Sequence, residues 1–238
     1  MKNIKVSIIT PCFNSENSIR DTIESVLVQT YQNIEYIIVD GASTDSTVEI
    51  IKEYAPMFQG RLRYVSEPDK GIYNAMNKGI KMSHGQLIGI INSDDYYEKD
   101  AVEKMIRQFN EGEYQVLYGY MRVMSHDRIR YICKDSHKQL LKAMIPHPTC
   151  FVSRNVYKDF GLYLERFKIV ADYELMLRIN KTGKINFQCI PEVITNYREG
   201  GASAGKRTFY EVSLVRFLYG GLSCREFVEK IINDSFII

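Results

Sequence analysis

The chain carries no strong charge of either sign. A formal net charge of +2 over 238 residues leaves out the basic footprint of a nucleic-acid-binding protein. It has no cysteine pair at C-x-x-C spacing. Its five cysteines, Cys12, Cys133, Cys150, Cys189 and Cys224, are scattered and odd in number. That pattern points away from a zinc site or a disulfide framework and towards reduced thiols in a cytosol. No apolar run approaches the roughly 18 residues that cross a bilayer. The start, Met1-Lys-Asn-Ile-Lys5, runs into a strand pattern without the apolar stretch of a signal peptide. A protein integral to a membrane is therefore not expected, and peripheral attachment stays open. Repeats and low-complexity tracts are missing too. So are both glycine-rich phosphate loops: no G-x-G-x-x-G follows the first strand, and no G-x-x-x-x-G-K-[ST] occurs. A phosphate bound here must have its charge neutralised in some other way.

What is present is ordinary in bulk and regular in detail. With 45% apolar and 25% charged residues, the composition is that of a globular domain. Val6–Thr10 reads as a strand that Pro11 ends, and Ile19, Ile23, Val26 and Leu27 follow at helical spacing. Tyr36–Asp40 is a second strand. The loop Gly41–Asp45 leads to a helix carrying Val48, Ile51 and Tyr54, stopped by Pro56. Leu62–Ser66 is a third strand, and Ile72, Met76, Gly79 and Ile80 mark a third helix. Gln86–Ile91 is a fourth strand, followed by a helix from Asp100 to Asn110. Strands apolar on both faces, alternating with helices, predict a mostly parallel central sheet covered by helices on both sides. Ligands of such sheets bind beyond the carboxyl ends of the strands, so Pro11, Asp40, Glu67 and Asp94–Asp95 should line one edge.

The second half is less regular. Val116–Met124 and Arg128–Cys133 suit a strand pair, Gln139–Met144 a helix, and Asp172–Asn180 another helix, while Gly200–Gly205 is a flexible loop. A single domain over 1–238 is expected. Residues 1–100 would form a nucleotide half, 101–205 an acceptor half and 206–238 a C-terminal helical segment.

The sharpest local feature is an apolar strand that stops on adjacent acids, Asp94 and Asp95. Two neighbouring carboxylates repel and are costly to desolvate. Either the pair sits in water at a turn, or a cation belongs there. Mg²⁺ and Mn²⁺ take oxygen ligands and commonly use one or two carboxylates together with substrate phosphates.

Four segments bear on that choice: Pro11-Cys-Phe-Asn14, Val39-Asp-Gly-Ala-Ser-Thr-Asp-Ser-Thr47, Asp69-Lys-Gly-Ile-Tyr-Asn-Ala-Met-Asn-Lys-Gly79 and Asn92-Ser-Asp-Asp95. In this order they resemble the family 2 glycosyltransferases, which have the GT-A fold. The resemblance is densest over residues 5–100 and extends through Ala171–Arg178. It implies transfer of a sugar from a nucleotide donor with inversion, using Mg²⁺ or Mn²⁺. It also implies that Phe13 stacks near the base and that Asp40 contacts base or ribose. By the same resemblance Asp94 lies near the ribose, Asp95 holds the metal and Asp172 is the catalytic base. The family's Glu-Asp pair reads Ala171-Asp172 here, which puts in doubt whatever its glutamate does.

Other candidates keep two readings each. Asp172 could instead cap the helix it opens. Asp69 and Lys70 could meet base and phosphate, or form a solvated turn. His147, between two prolines, could serve metal, diphosphate or acceptor, or be structural. Arg198 and Ser203 resemble a substrate-side loop able to hold a diphosphate, with an exposed loop as the alternative. Basic and apolar residues alternate from Arg207 to Arg225, which suits a packed helix or one lying on an anionic membrane. The expected partners are a UDP-sugar and a saccharide acceptor, lipid-diphosphate-linked, at the cytoplasmic face of a membrane. The rival functions are a catalytically silent sugar-nucleotide sensor and a nucleotidyltransferase, the latter disfavoured because Pro11–Asn14 is neither glycine-rich nor basic.

Overall fold

The computed structural model describes residues 3–125, 128–200 and 206–235. In chain order the elements are β1 (Val6–Cys12), α1 (Ile19–Leu27), β2 (Ile34–Asp40), α2 (Thr47–Tyr54), β3 (Leu62–Ser66), α3 (Ile72–Met82), β4 (Leu87–Ile90), β5 (Tyr96–Tyr97) and α4 (Ala101–Gln108). There follow β6 (Gln115–Ser125), β7 (Arg128–Cys133), β8 (Phe151–Ser153), α5 (Arg154–Phe160), α6 (Ala171–Asn180), β9 (Asn186–Arg198), α7 (Lys206–Leu218) and α8 (Cys224–Ser235). They build one mixed, mostly parallel sheet in the order β3-β2-β1-β4-β8-β6-β9-β5, with β7 paired to β6.

β1 to β4 are parallel; β1, β2 and β4 carry the two-sided apolar pattern of a buried parallel sheet, and β3 is its largely exposed edge. Every residue of β1, β2 and β4 is buried. Two apolar cores lie on the two faces of the sheet. One gathers α1, α2 and α4 through Ile19, Ile23, Ile51, Met105 and Phe109; the other gathers α3, α5 and α6 through Tyr73, Met76, Val156 and Met176. The helices therefore cover both faces, as expected.

Three local readings are corrected. Pro11 does not end β1, which continues to Cys12 with Pro11 opposite Val39. Pairing to β4 has already stopped at Ile9–Ile90, so the missing N–H of Pro11 falls where no β4 carbonyl needs it. Gln139–Met144 is not a helix; a single 3₁₀ turn, His137–Gln139, stands there. The carbonyls that a helix would use are taken by side chains: Leu140 by the Tyr173 hydroxyl and Leu141 by Arg216 at 3.0 Å. Finally, β5, β8 and β9 extend the sheet beyond the four strands expected of the first half.

The longest new strand, β9, runs parallel to β6 and carries Tyr197 and Arg198 to the sheet's carboxyl edge. Their backbones approach closely at Gly119, where a Cβ would stand 2.8 Å from the carbonyl of Glu192 and collide with Ile194. Backbone cannot yield as a flexible side chain can. Gly119→Ala is therefore expected to lose about 1–3 kcal/mol, read as a lower urea midpoint at unchanged m-value.

Candidate active site

The loops after β1, β2 and β4 meet over the sheet's carboxyl edge and are laced to one another. The backbone N–H of Asn14 donates to the Ser43 hydroxyl at 2.8 Å, and that of Ser15 to Thr47 Oγ1 at 2.7 Å. Asn14 Oδ1 accepts from the Thr44 N–H at 2.9 Å. Asn14 and Ala42 hold left-handed backbones, φ 48° and 64°, which the lacing over-determines.

Asp40 is the hub beneath these loops. Fully buried, its carboxylate accepts from the Ser43 N–H at 3.0 Å, from the Ser66 hydroxyl at 2.6 Å and from the Ser43 hydroxyl. The Cys12 thiol points at it from 3.6 Å; burial first, and then Asp40, pushes that thiol far above its usual range. Asp40 does not line the cavity above it. Asp69 does, opposite Gly41, where a Cβ would sit 2.7 Å from the Asp69 carboxylate.

That cavity, of about 780 Å³, is lined by Pro11, Phe13, Asn14, Asp69, Asn92, Asp94, His147, Lys168 and Asp172 among others. Phe13 is 60% exposed and presents a bare ring to it. Lys70 is exposed outside the lining, and Glu67 turns away to Lys78 at 2.8 Å. Ser203 lies outside the described residues.

The acid pair divides. Asp94 is half-buried on the cavity wall, and Asp95 is fully buried behind it. Asp95 Oδ1 accepts from the Arg198 backbone N–H at 3.0 Å, and Oδ2 lies 3.4 Å from the Asn92 amide. Burial, and then the charge of Asp94, pushes Asp95 well above the ordinary carboxylate range; burial raises Asp94 as well. Arg198 lies near the pair: its guanidinium reaches the Asp94 carbonyl at 3.4 Å, bonds Asp21 and stacks over Tyr96 at 5.1 Å. Asn92 Oδ1 is buried and has no partner among the described residues. A carboxylate short of positive charge, beside an orphaned amide oxygen, suits a hard divalent cation. Among the described residues no group of three or more His, Cys, Asp or Glu side chains converges. The remaining ligands of such an ion would be phosphate and water oxygens.

Asp172 occupies the first turn of α6, where the helix dipole favours a carboxylate. It is not the cap: Val170 holds that position. Asp172 Oδ1 is 2.8 Å from the Tyr73 hydroxyl and 2.9 Å from the Tyr173 N–H. His147, 8% exposed, pairs its Nε2 with the Tyr163 hydroxyl at 2.9 Å. Its burial lowers it below the usual imidazole range, which keeps it neutral. Residues 161–170 are strapped to α3: Asn74 and Asn77 donate to Glu165 at 3.0 and 3.1 Å, and Asn77 also to the Tyr163 carbonyl at 2.9 Å. Tyr73, Asn92 and Lys168 had no role assigned from sequence. Tyr73 and Asn92 lie inside quoted segments, whereas Lys168 had no signal.

The stretch that supplies most of this cavity's lining matches a known family. The model of glycosyl transferase family 2 matches residues 7–161. This chain belongs to that family. A PGL/p-HBAD biosynthesis glycosyltransferase of Mycobacterium bovis is 29% identical over 198 residues, covering 82% of this chain and 77% of that protein. MT1564 of Mycobacterium tuberculosis, an uncharacterized glycosyltransferase, is 33% identical over 180 residues, 73% of this chain and 68% of its own. Among solved structures, residues 1–349 of Staphylococcus aureus TarS in complex with UDP-GlcNAc superpose with a TM-score of 0.72 at 19% identity, covering 98% of this chain and 73% of that one. The chain spans 44% of a longer TarS structure. The mannosyltransferase PcManGT of Pyrobaculum calidifontis, in complex with GDP-Man and Mn²⁺, gives 0.67 at 16% identity, with 98% and 65% covered. The fold of this glycosyltransferase is GT-A, as the sequence resemblance implied.

The contrast between Asp40 and Asp69 can be measured. Asp40→Ala leaves the Ser43 and Ser66 donors and the buried Cys12 thiol without their acceptor and is expected to cost about 2–4 kcal/mol. Asp69→Ala, on the cavity wall, removes one exposed bond from the Gly71 N–H at the start of α3 and should cost about 0.5–1 kcal/mol. Urea unfolding of the two variants checks both.

Proposed function

We propose that this glycosyltransferase moves a hexose or N-acetylhexosamine from a UDP-sugar, with inversion, to a saccharide acceptor carried on a lipid diphosphate during cell-surface polysaccharide synthesis. The observation that carries the reading is that Asp172 and the Asn92–Asp94 wall, backed by Asp95, face one cavity from different elements. Phe13 offers a stacking face for the base, with Pro11, Asn14 and Asp69 around it. Asp94 stands nearest the ribose and sugar. Asp40 acts from below, by holding the loop that carries Ser43. The complex of TarS with UDP-GlcNAc supports a uridine-linked donor.

The chemistry needs few groups. Sugar transfer passes through an oxocarbenium-like transition state. The acceptor oxygen forms a bond to the anomeric carbon, and the bond from that carbon to the diphosphate breaks with its electron pair leaving on phosphate. Asp172 takes the acceptor hydroxyl's proton. One carboxylate base opposite the leaving group gives a single displacement, hence inversion, without a covalent intermediate. Asp95, with Asp94 and Asn92 Oδ1, would hold Mg²⁺ or Mn²⁺, which when bound neutralises charge on the departing diphosphate. His147 and the Arg198 side of the cavity are left for the acceptor diphosphate.

No helix among the described residues is long and apolar enough to cross a membrane. Exposed Phe209, Tyr210 and Leu218 on α7, and Val228 and Ile232 on α8, stand beside Arg207, Arg216 and Arg225. They suit peripheral contact with an anionic cytoplasmic membrane surface.

UDP release from a panel of UDP-sugars, with Mn²⁺ or Mg²⁺ and with EDTA, tests the reading. Asp172→Asn should lower kcat by about 10²–10⁴-fold with the donor KM little changed. Asp95→Ala should abolish the rise in melting temperature on adding Mn²⁺ with UDP. Turnover indifferent to EDTA and intact in both variants would overturn the assignment.

A further inference from the structure

Tyr73 reaches Asp172 from α3. Its ring is 6% exposed and packs on Tyr163 with centroids 5.6 Å apart. Its hydroxyl lies 2.8 Å from Asp172 Oδ1 and 2.6 Å from the carbonyl oxygen of Ile169. One phenolic proton therefore faces two acceptors and can serve only one at a time. Burial, and then the nearby Asp172, pushes Tyr73 well above the ordinary phenol range, so the hydroxyl keeps its proton and remains a donor.

The charge on Asp172 decides where that proton points. A hydrogen bond to an ionised carboxylate is roughly twice as strong as one to a neutral carbonyl. While Asp172 is ionised, the proton turns to it. Once Asp172 has become a carboxylic acid the preference is gone. The proton is then free to turn to Ile169, and the phenolic oxygen can accept from the new acid O–H.

We propose that Tyr73 is the positioning residue of the base: a buried hydroxyl whose proton alternates between Asp172 and the Ile169 carbonyl as Asp172 loses and gains its own. The inference rests on Asp172 being the base. Tyr73 passes no proton on; the acceptor's proton ends on Asp172, and the phenol only reorients. Its role is to favour the ionised base before transfer without penalising the protonated one after it.

Several groups share this environment. His147, Tyr163 and Cys150 feel the charge of Asp172, Glu211 lies within reach of Tyr73's field, and Lys168, Asp69 and Asp94 line the same cavity. His147 is held neutral by burial, and Tyr163 and Cys150 are pushed up by it. None of these three changes charge between about pH 7 and 9.

The test is the pH profile of UDP release with water as the acceptor, using the UDP-sugar that turns over fastest in the donor panel. Tyr73→Phe removes the donor from the carboxylate, so protonation competes at higher pH and the acid limb of kcat/KM moves up by about one pH unit. The loss in kcat/KM should be about tenfold on the acid limb and under about threefold on the plateau above it, with the donor KM within about twofold. Tyr73→3,5-difluorotyrosine keeps the ring and strengthens the donor, so it should move the limb the other way; it guards against a folding defect in the phenylalanine variant. Asn74→Ala, which loosens the strap without touching Asp172, should lower activity by the same factor at every pH. A Tyr73→Phe profile parallel to wild type, with the fluorinated variant also unshifted, overturns the proposal while leaving Asp172 as base. Full activity in Asp172→Asn overturns the base itself.

Discussion

The arrangement depends on two carboxylates being held together where neither has enough positive charge. Asp95 is buried behind Asp94 at the end of β4, and among the described residues its backbone donor is Arg198, over a hundred positions away in the chain. That contact brings the end of β9 to the end of β4. It also ties the half of the sheet that was legible as alternating strands to the half that was not. The same Arg198 side chain reaches Asp21 on α1 and the ring of Tyr96, so one residue fastens three elements around the pair. The cost of crowding like charges is offset only in part by these donors. The balance is what the proposed divalent cation would supply, and the Asn92 oxygen beside them, without a partner among the described residues, suits the same ion.

The rest of the site is built in two tiers. Below, Asp40 spends its hydrogen-bonding capacity on Ser43, Ser66 and Cys12, which fixes the loop whose neighbours face the cavity. Above, Phe13, Asp69 and Asp94 keep their faces open. Residues that resemble a family's contact set can thus stand a layer apart, one shaping the surface that the others present.

Legibility followed periodicity. From β1 to α4 every element but β5 was visible, because apolar runs alternate with helices whose buried positions repeat three or four apart. β5 and β8 span only two and three residues, too few to show any period. β9 was hidden by Pro191, which argues against a strand; its register to β6 jumps there, from Tyr118–Cys189 to Tyr120–Val193, so the proline occupies an irregularity. Among the site residues, those at strand ends were legible because topology gathers them. Asp172 was legible by resemblance, and as a helix-opening acid. Its partner Tyr73 stood in a quoted segment, but nothing in sequence says that α3 and α6 meet.

The segment from Gly161 to Val170 has no helix or strand of its own, yet it is tied to α3 by Asn74, Asn77 and Tyr73 at successive turns. It works as a ruler. The reach of Asp172 into the cavity is set jointly by these ties, by the Glu211 carboxylate of α7 that accepts from the Lys168 and Ile169 N–H groups, and by the buried packing of α6 itself. A change in the length of this one stretch would therefore move Asp172 against the nucleotide half while leaving the loops that carry Phe13, Asp69 and Asp94 as they are.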